Sequence, residues 1–130
     1  MTIHLVEDDP AVCDSLMILL CHMGHQVSCH PDGESFLGAA RPKVGDDIIV
    51  DLMLPGVSGI DVIKWLQGLE QPPRIIAMSG QPEPAIKKQL RGLSVACLLR
   101  KPLTADDLAA CLTTGRVDQA PTAAPIASPR

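Results

Sequence analysis

Residues 47–59 read Asp47-Ile48-Ile49-Val50-Asp51-Leu52-Met53-Leu54-Pro55-Gly56-Val57-Ser58-Gly59, and the reading of this stretch decides the fold. An uninterrupted β-branched run with no polar alternation is the pattern of a strand buried on both faces, as in parallel sheets covered by helices. The run passes directly into Asp51 and then into a segment broken by Pro55, Gly56 and Gly59, so a loop has to follow the strand. Ser58, with Asp61 three residues on, has the form of a capping box. It predicts a helix carrying Ile60, Ile63, Leu66 and Leu69, which Pro72-Pro73 ends.

Four more units of the same kind flank this one. Residues 2–6 form an apolar strand that stops at Glu7-Asp8-Asp9, and Asp9 caps a helix with Pro10 in its first position. Val12, Leu16, Leu19, Leu20 and Met23 fall on one face of that helix, and Gly24 ends it. Residues 26–29 are a weaker strand, and Asp32-Gly33-Glu34 opens a short helix with Phe36 and Leu37. Residues 74–78 predict a fourth strand, 84–91 a helix, 95–99 a fifth strand, and 104–112 a last helix capped by Thr104 with Asp107. Strands alternating with helices give an α/β fold: a doubly wound, five-stranded parallel sheet with five helices and strand order 2-1-3-4-5. Residues 1–115 make this domain. Residues 116–130, with prolines at 121, 125 and 129 and no periodic apolar face, read as a tail or severed linker.

The chain has room for one such domain, since it has 130 residues, 46% of them hydrophobic and 20% charged. A net charge of -4 argues against nucleic acid or an anionic membrane as direct partner. An aromatic content of 2% leaves too few rings for base stacking. No stretch approaches the ~18 apolar residues of a membrane span, and the acidic start lacks the pattern of a signal peptide. The five cysteines (13, 21, 29, 97 and 111) are scattered and form no C-x-x-C pair. They are expected to be reduced, small buried hydrophobes in a cytoplasmic protein. Cys21, His22, His25, Cys29 and His30 have a superficial zinc spacing, but a helix end, a turn and a strand end would not converge tetrahedrally. These histidines are read as surface residues.

Polar groups stand where four strands end: Glu7 and Asp8 after the first, Asp51 after the third, Ser79 after the fourth, and Lys101 beyond the fifth. In an open α/β sheet that edge binds ligands, and strands one and three adjoin at the switch point. Glu7, Asp8 and Asp51 are therefore expected to converge. Carboxylates ~4–6 Å apart repel by about 3–4 kcal/mol per pair at an effective dielectric of ~20, so the cluster implies a cation. All-oxygen ligation points to Mg²⁺, with Mn²⁺ as the alternative. A hard dication with a carboxylate, a hydroxyl and an ammonium is equipment for phosphoryl transfer to Asp51.

The segments Val6-Glu7-Asp8-Asp9, residues 50–59, Met78-Ser79-Gly80 and Leu99-Arg100-Lys101-Pro102-Leu103, in this order, resemble the receiver domain of bacterial two-component response regulators. The resemblance covers residues 2–114 and implies a flavodoxin-like fold and a signalling switch rather than a metabolic enzyme, one that catalyses its own phosphorylation and dephosphorylation. It implies that Asp51 accepts a phosphoryl group from a sensor histidine kinase or phosphotransfer protein. Asp8, Asp51 and the Met53 carbonyl would hold Mg²⁺, with Glu7 acting through water, while Ser79 and Lys101 would engage the phosphoryl group. A cis Lys101–Pro102 peptide, a downstream effector or output domain and a phosphorylation-dependent homodimer are further implications. The sequence departs from the family at Leu98, where an aromatic often stands. Met53 and Gln81 occupy the positions flanking the line of water attack. Two other classes fit less well: an aspartyl phosphatase wants a second acid where Met53 stands, and a flavin or nucleotide module wants a Gly-rich loop after the first strand.

Overall fold

The computed structural model describes residues 2–39 and 42–113. Five strands, β1 (Thr2–Val6), β2 (Gln26–His30), β3 (Asp47–Asp51), β4 (Arg74–Ser79) and β5 (Cys97–Arg100), alternate with five helices. The helices are α1 (Pro10–His22), α2 (Gly33–Ala39), α3 (Gly59–Gln67), α4 (Glu83–Gln89) and α5 (Ala105–Thr113). The strands form one sheet in the order β2-β1-β3-β4-β5, parallel throughout, as expected. The expected tail, residues 116–130, lies outside the described residues.

Alternation along the strands sends side chains to two cores. Ile3, Leu5, Ile49, Ile76 and Met78 pack with Leu16 and Leu20 of α1 and Leu108 and Leu112 of α5. Val6, Ile48, Val50, Ile75 and Ala77 pack on the opposite face with Phe36, Val62, Ile63, Leu66 and Ile86. Each fully buried aliphatic side chain contributes about 1.5–3 kcal/mol. The unbroken apolar run of β3 is thereby explained, because all five of its residues are buried and each face has its own core.

Three helix starts are set by the caps read in the sequence. Asp9 accepts from the Ala11 amide (2.9 Å), Ser58 from Asp61 (3.1 Å) and Thr104 from Asp107 (3.0 Å). The strand ends shift by a residue or two: β3 includes Asp51, β4 includes Ser79, and β5 runs from Cys97 to Arg100 rather than over residues 95–99. Helix α4 ends at Gln89, earlier than expected, because the turn after it runs through Gly92 at φ 80°.

Two expectations need correction. The structure joins Cys13 to Cys29 and Cys97 to Cys111 as disulfides, and Cys21, the free cysteine, is exposed rather than buried. The spacing hid these pairs because each links a helix to the strand it packs on, and such contacts follow from tertiary packing rather than from local sequence. His30 is not a surface residue either: it is half-buried, edge-on to Phe36 with ring centroids 5.3 Å apart and stacked near His4. Cys21, His22 and His25 do not gather with Cys29 and His30 into a metal-binding group among the described residues.

At the amino-terminal edge of the sheet the buried Asp46 acts as a clamp. Its carboxylate accepts from the amides of Thr2 and Lys43 (both 2.9 Å) and pairs with His4 Nε2 at 3.1 Å, while its carbonyl accepts from the Arg74 amide. Burial alone would raise the Asp46 pKa, but these two amides and the His4 ring hold it below the ordinary 3.8. A depressed carboxylate stabilises the fold above its unfolded pKa, and that contribution is lost as pH falls through the lower folded value. His30, whose pKa is lowered from 6.5 by burial and then by His4, makes stability decline as pH falls below 6.5, because the unfolded chain takes up the proton first. We therefore expect Asp46→Ala to cost about 1–3 kcal/mol at pH 7, because the buried His4 ring and the partly buried Thr2 and Lys43 bonds lose their acceptor. In thermal melts its deficit against the unsubstituted chain should persist at pH 5 and shrink only as pH falls below 3.8 toward the lower value of the folded Asp46.

Candidate functional site

The strand order places the carboxyl ends of β1 and β3 side by side, with Val6 opposite Val50 in register. Glu7 and Asp8 follow β1 immediately, and Asp51 is the last residue of β3. One carboxylate oxygen from each lies within 4.8 Å of the others, as the sequence led us to expect. Glu7 and Asp51 are nearly enclosed, at 1% and 3% exposure, whereas Asp8 faces solvent. The cluster is thus a shallow acidic cleft with a buried floor and an open rim.

Lys101 enters this cleft from beyond β5. Its Nζ lies 2.8 Å from Glu7 Oε1 and 2.8 Å from Asp51 Oδ2, so one ammonium bridges two of the three carboxylates. Burial works against the charged lysine, but its bonds to Asp51 and Glu7 and their negative charge outweigh it, and its pKa is raised above 10.5. Burial likewise raises the Glu7 pKa above 4.5, with the nearby Asp51 charge adding to it, against the lowering by Lys101 and the Asp9 amide. The backbone completes the arrangement. The Asp9 amide donates to Glu7 Oε2 (3.1 Å) and the Met53 amide to Asp51 Oδ1 (2.9 Å), fixing both carboxylates from the loops that follow them.

Ser79 ends β4 fully buried, where its hydroxyl accepts from the Gln81 amide at 3.1 Å and its carbonyl from the Lys101 amide at 2.9 Å. The second bond ties the serine and lysine loops together, and the Lys101–Pro102 peptide between β5 and α5 is cis, as the resemblance implies. Leu98 lies on β5 opposite Ala77 and packs into the core shared with α3 and α4. The Met53 side chain is 53% exposed, so this neutral thioether stands where a phosphatase of the aspartyl type would need an acid.

Some contributors were invisible in the sequence. The two backbone donors depend on loop conformation, and the second partner of Lys101, Glu7, depends on how close β1 and β5 loops come. Gly59 has a packing role that its place in the motif hinted at. A Cβ there would overlap the Asp51 carbonyl oxygen and sit 2.6 Å from the Leu52 Cα, so α3 can start this close to the end of β3 only with glycine. Gly56, at φ 69°, makes the turn that brings the chain to that point.

Three carboxylates against one ammonium leave net negative charge in a partly desolvated cleft, and every donor is oxygen. That donor set fits a hard divalent cation. Comparison with known proteins agrees with this geometry. The family model of the response regulator receiver domain matches residues 3–113. The chain is 32% identical over 109 residues to the transcriptional regulatory protein FixJ of Azorhizobium caulinodans, a match spanning 84% of this chain and 51% of that protein. It is 34% identical over 113 residues to the transcriptional regulatory protein KdpE of Mycobacterium tuberculosis, covering 86% of this chain and 50% of that one. The chain thus spans about half the length of these curated relatives. Among solved structures, a CheY-like receiver domain from Methylobacillus flagellatus superposes with a TM-score of 0.76 at 28% identity, covering 87% of this chain and 96% of that one. The receiver domain of the sensor histidine kinase PA1611 from Pseudomonas aeruginosa shares the fold with a TM-score of 0.77 at 24% identity, over 86% of this chain and 93% of that one. The chain belongs to the response regulator receiver domain family of two-component systems.

Proposed function

We propose that Asp51 is the phosphoacceptor of this receiver domain and that Glu7, Asp8, Asp51 and the Met53 carbonyl form its Mg²⁺ site. The observation that carries this reading is the meeting of three carboxylate oxygens within 4.8 Å beside an ammonium 2.8 Å from two of them. The PA1611 receiver domain, of the same fold, has a magnesium ion coordinated in its active site cleft, which supports the assignment. When bound, such a cation offsets the negative charge that otherwise keeps a phosphoryl donor away from an acidic cleft.

The chain's own groups supply the rest of the chemistry. An Asp51 carboxylate oxygen attacks the phosphorus of a phosphohistidine, or of a small phosphodonor, and the bond from phosphorus to the donor atom breaks. The Met53 amide holds Asp51 Oδ1, which orients the carboxylate. Lys101, already on Oδ2, is placed to follow the transferred charge onto a phosphoryl oxygen. Ser79 is one residue of strand away and donates its hydroxyl to the product once its loop moves inward. Self-catalysed loss of the phosphoryl group to water completes the cycle, past the Met53 and Gln81 side chains. An apolar groove of about 330 Å³ along Val12, Leu16, Leu19 and Leu103 opens beside Lys101, and it supports docking of the phosphodonor, a sensor histidine kinase or phosphotransfer protein, on α1.

The resulting change of Ser79 and Lys101 reaches α4, β5 and α5, because these residues stand at the entrances to those elements. This altered surface would be read by an output domain or effector, or by a second copy of the chain as a phosphorylation-dependent homodimer. Leu98 can change rotamer there but has no hydroxyl to exchange hydrogen bonds. A cytoplasmic location fits a partner of this kind, and residues 116–130 would serve as the tail or linker beyond the switch.

Intact mass after incubation with acetyl phosphate and Mg²⁺ should show the gain of one phosphoryl group. Asp51→Asn should abolish the gain while leaving the metal-free melting temperature within a few degrees, since Lys101 keeps its bond to Glu7. Asp8→Asn should retain the gain but need roughly tenfold more Mg²⁺, corresponding to about 1.4 kcal/mol of lost cation binding. A phosphoryl gain by Asp51→Asn at the unsubstituted rate contradicts the assignment. Amide exchange with and without a phosphoryl mimic should differ within residues 79–110, and unchanged protection across that span contradicts the proposed surface.

A further inference from the structure

The acidic cleft has a second chemistry on its wall. An open pocket of about 290 Å³ runs from Glu7 and Asp8 past Met17 and Pro31 to Cys13 and Cys29. Cys13 lies in the first turns of α1 and Cys29 is the penultimate residue of β2, and both are partly exposed. The other pair, Cys97 with Cys111, is less open, because Cys111 is 2% exposed. A small oxidant therefore reaches Cys13 and Cys29 through the same opening that serves the candidate cation site.

We propose that Cys13 and Cys29 are a reversible dithiol/disulfide pair whose closure tightens the Mg²⁺ site. The Cys13–Cys29 bond closes a ring around the loop after β1. The Glu7 amide donates to the His30 carbonyl at 3.1 Å, and His30 adjoins Cys29. The Cys13 amide donates to the Asp9 carbonyl at 2.9 Å. With the Cys13–Cys29 bond in place, the segment from Glu7 to Cys13 is pinned at one end to β2 by the backbone bond and at the other by the disulfide. Glu7 and Asp8, two of the three carboxylates, lie within that segment. Opening the bond leaves α1 held to the sheet by Leu16 and Leu20 but removes the covalent tie between its first turns and β2, so the reduced chain loses more freedom in the loop when it binds a cation than the oxidised chain does.

The chemistry balances with a hydroperoxide. One thiolate attacks the distal peroxide oxygen, the O–O bond breaks, and a sulfenic acid and an alcohol or water leave the step; the second thiol then displaces hydroxide as water and forms the S–S bond. A low-molecular-weight disulfide serves equally, by exchange through a mixed disulfide that releases two small thiols. A disulfide formed in a reducing compartment is characteristically a transient, sensing one, so the pairing is compatible with a cytoplasmic protein.

The coupling to Mg²⁺ rests on the proposed cation site, but formation of the bond does not, and the test separates them. The full chain is reduced with dithiothreitol, the reductant is removed, and half of the chain is then treated with two equivalents of hydrogen peroxide, one for each cysteine pair. Alkylation and peptide mapping should find a Cys13–Cys29 linked peptide, two hydrogens lighter, only in the oxidised half, and renewed dithiothreitol should abolish it. Calorimetric Mg²⁺ titration should give binding roughly threefold or more tighter in the oxidised half, and no redox-dependent difference in Cys13→Ser/Cys29→Ser. A Cys97→Ser/Cys111→Ser chain should keep the difference. Alkylation of both Cys13 and Cys29 after oxidation overturns the proposal, and so does a linked peptide with unchanged Mg²⁺ affinity or a difference that survives in Cys13→Ser/Cys29→Ser. Absence of Mg²⁺ binding in either state, with the linked peptide present, overturns the cation site and the coupling while leaving the redox pair standing.

Discussion

Lys101 Nζ stands 2.8 Å from both Glu7 and Asp51, and the carboxyl end of the sheet is arranged around that pair of contacts. Without the ammonium, two carboxylates of almost no exposure would face each other across the ends of β1 and β3 with nothing but backbone amides to offset them. With it, the cleft is stable enough to form and still carries excess negative charge. That residual negative charge, set among oxygen donors, is a field that a hard cation satisfies better than a lysine alone.

The rest of the architecture delivers these groups to one place. The β2-β1-β3-β4-β5 order sets Asp51 at the centre, with the acids of the β1 loop on one side and Ser79 and Lys101 on the other. Gly59 lets α3 begin against the Asp51 carbonyl, so the loop between them stays short and the Met53 amide turns back onto Asp51 Oδ1. The two cores on either face of the sheet, built almost wholly from aliphatic side chains, hold the strand ends in register.

How much of this is legible in the sequence follows from the range of the forces involved. The strand of residues 47–50, the caps at Asp9, Ser58 and Thr104, and the turn glycines are local, and they read correctly from spacing alone. The meeting of Glu7, Asp8 and Asp51 is not local, but it follows from one topological rule about parallel sheets once the strands are counted. The bond of Lys101 to Glu7, the burial of His30 against Phe36, and the pairing of Cys13 with Cys29 and Cys97 with Cys111 arise from the angle and depth at which loops and helices settle on the sheet. No periodicity in the chain encodes those, which is why the cysteines read as ordinary buried hydrophobes and His30 as a surface residue. Membership in the receiver family was carried by four short motifs in order at strand ends, none decisive alone, the segment from Asp51 to Gly59 being stronger than the run Val6-Glu7-Asp8-Asp9.

The proposed cation site draws on the loops after β1 and β3 together. Paramagnetic broadening of backbone amide signals by substoichiometric Mn²⁺, reversed by excess Mg²⁺, tests it most directly. Loss of signal is expected to centre on residues 7–9 and 51–53, reaching Lys101 and sparing residues 21–25. Broadening centred on Cys21, His22 and His25, or none that Mg²⁺ competes away, would contradict it.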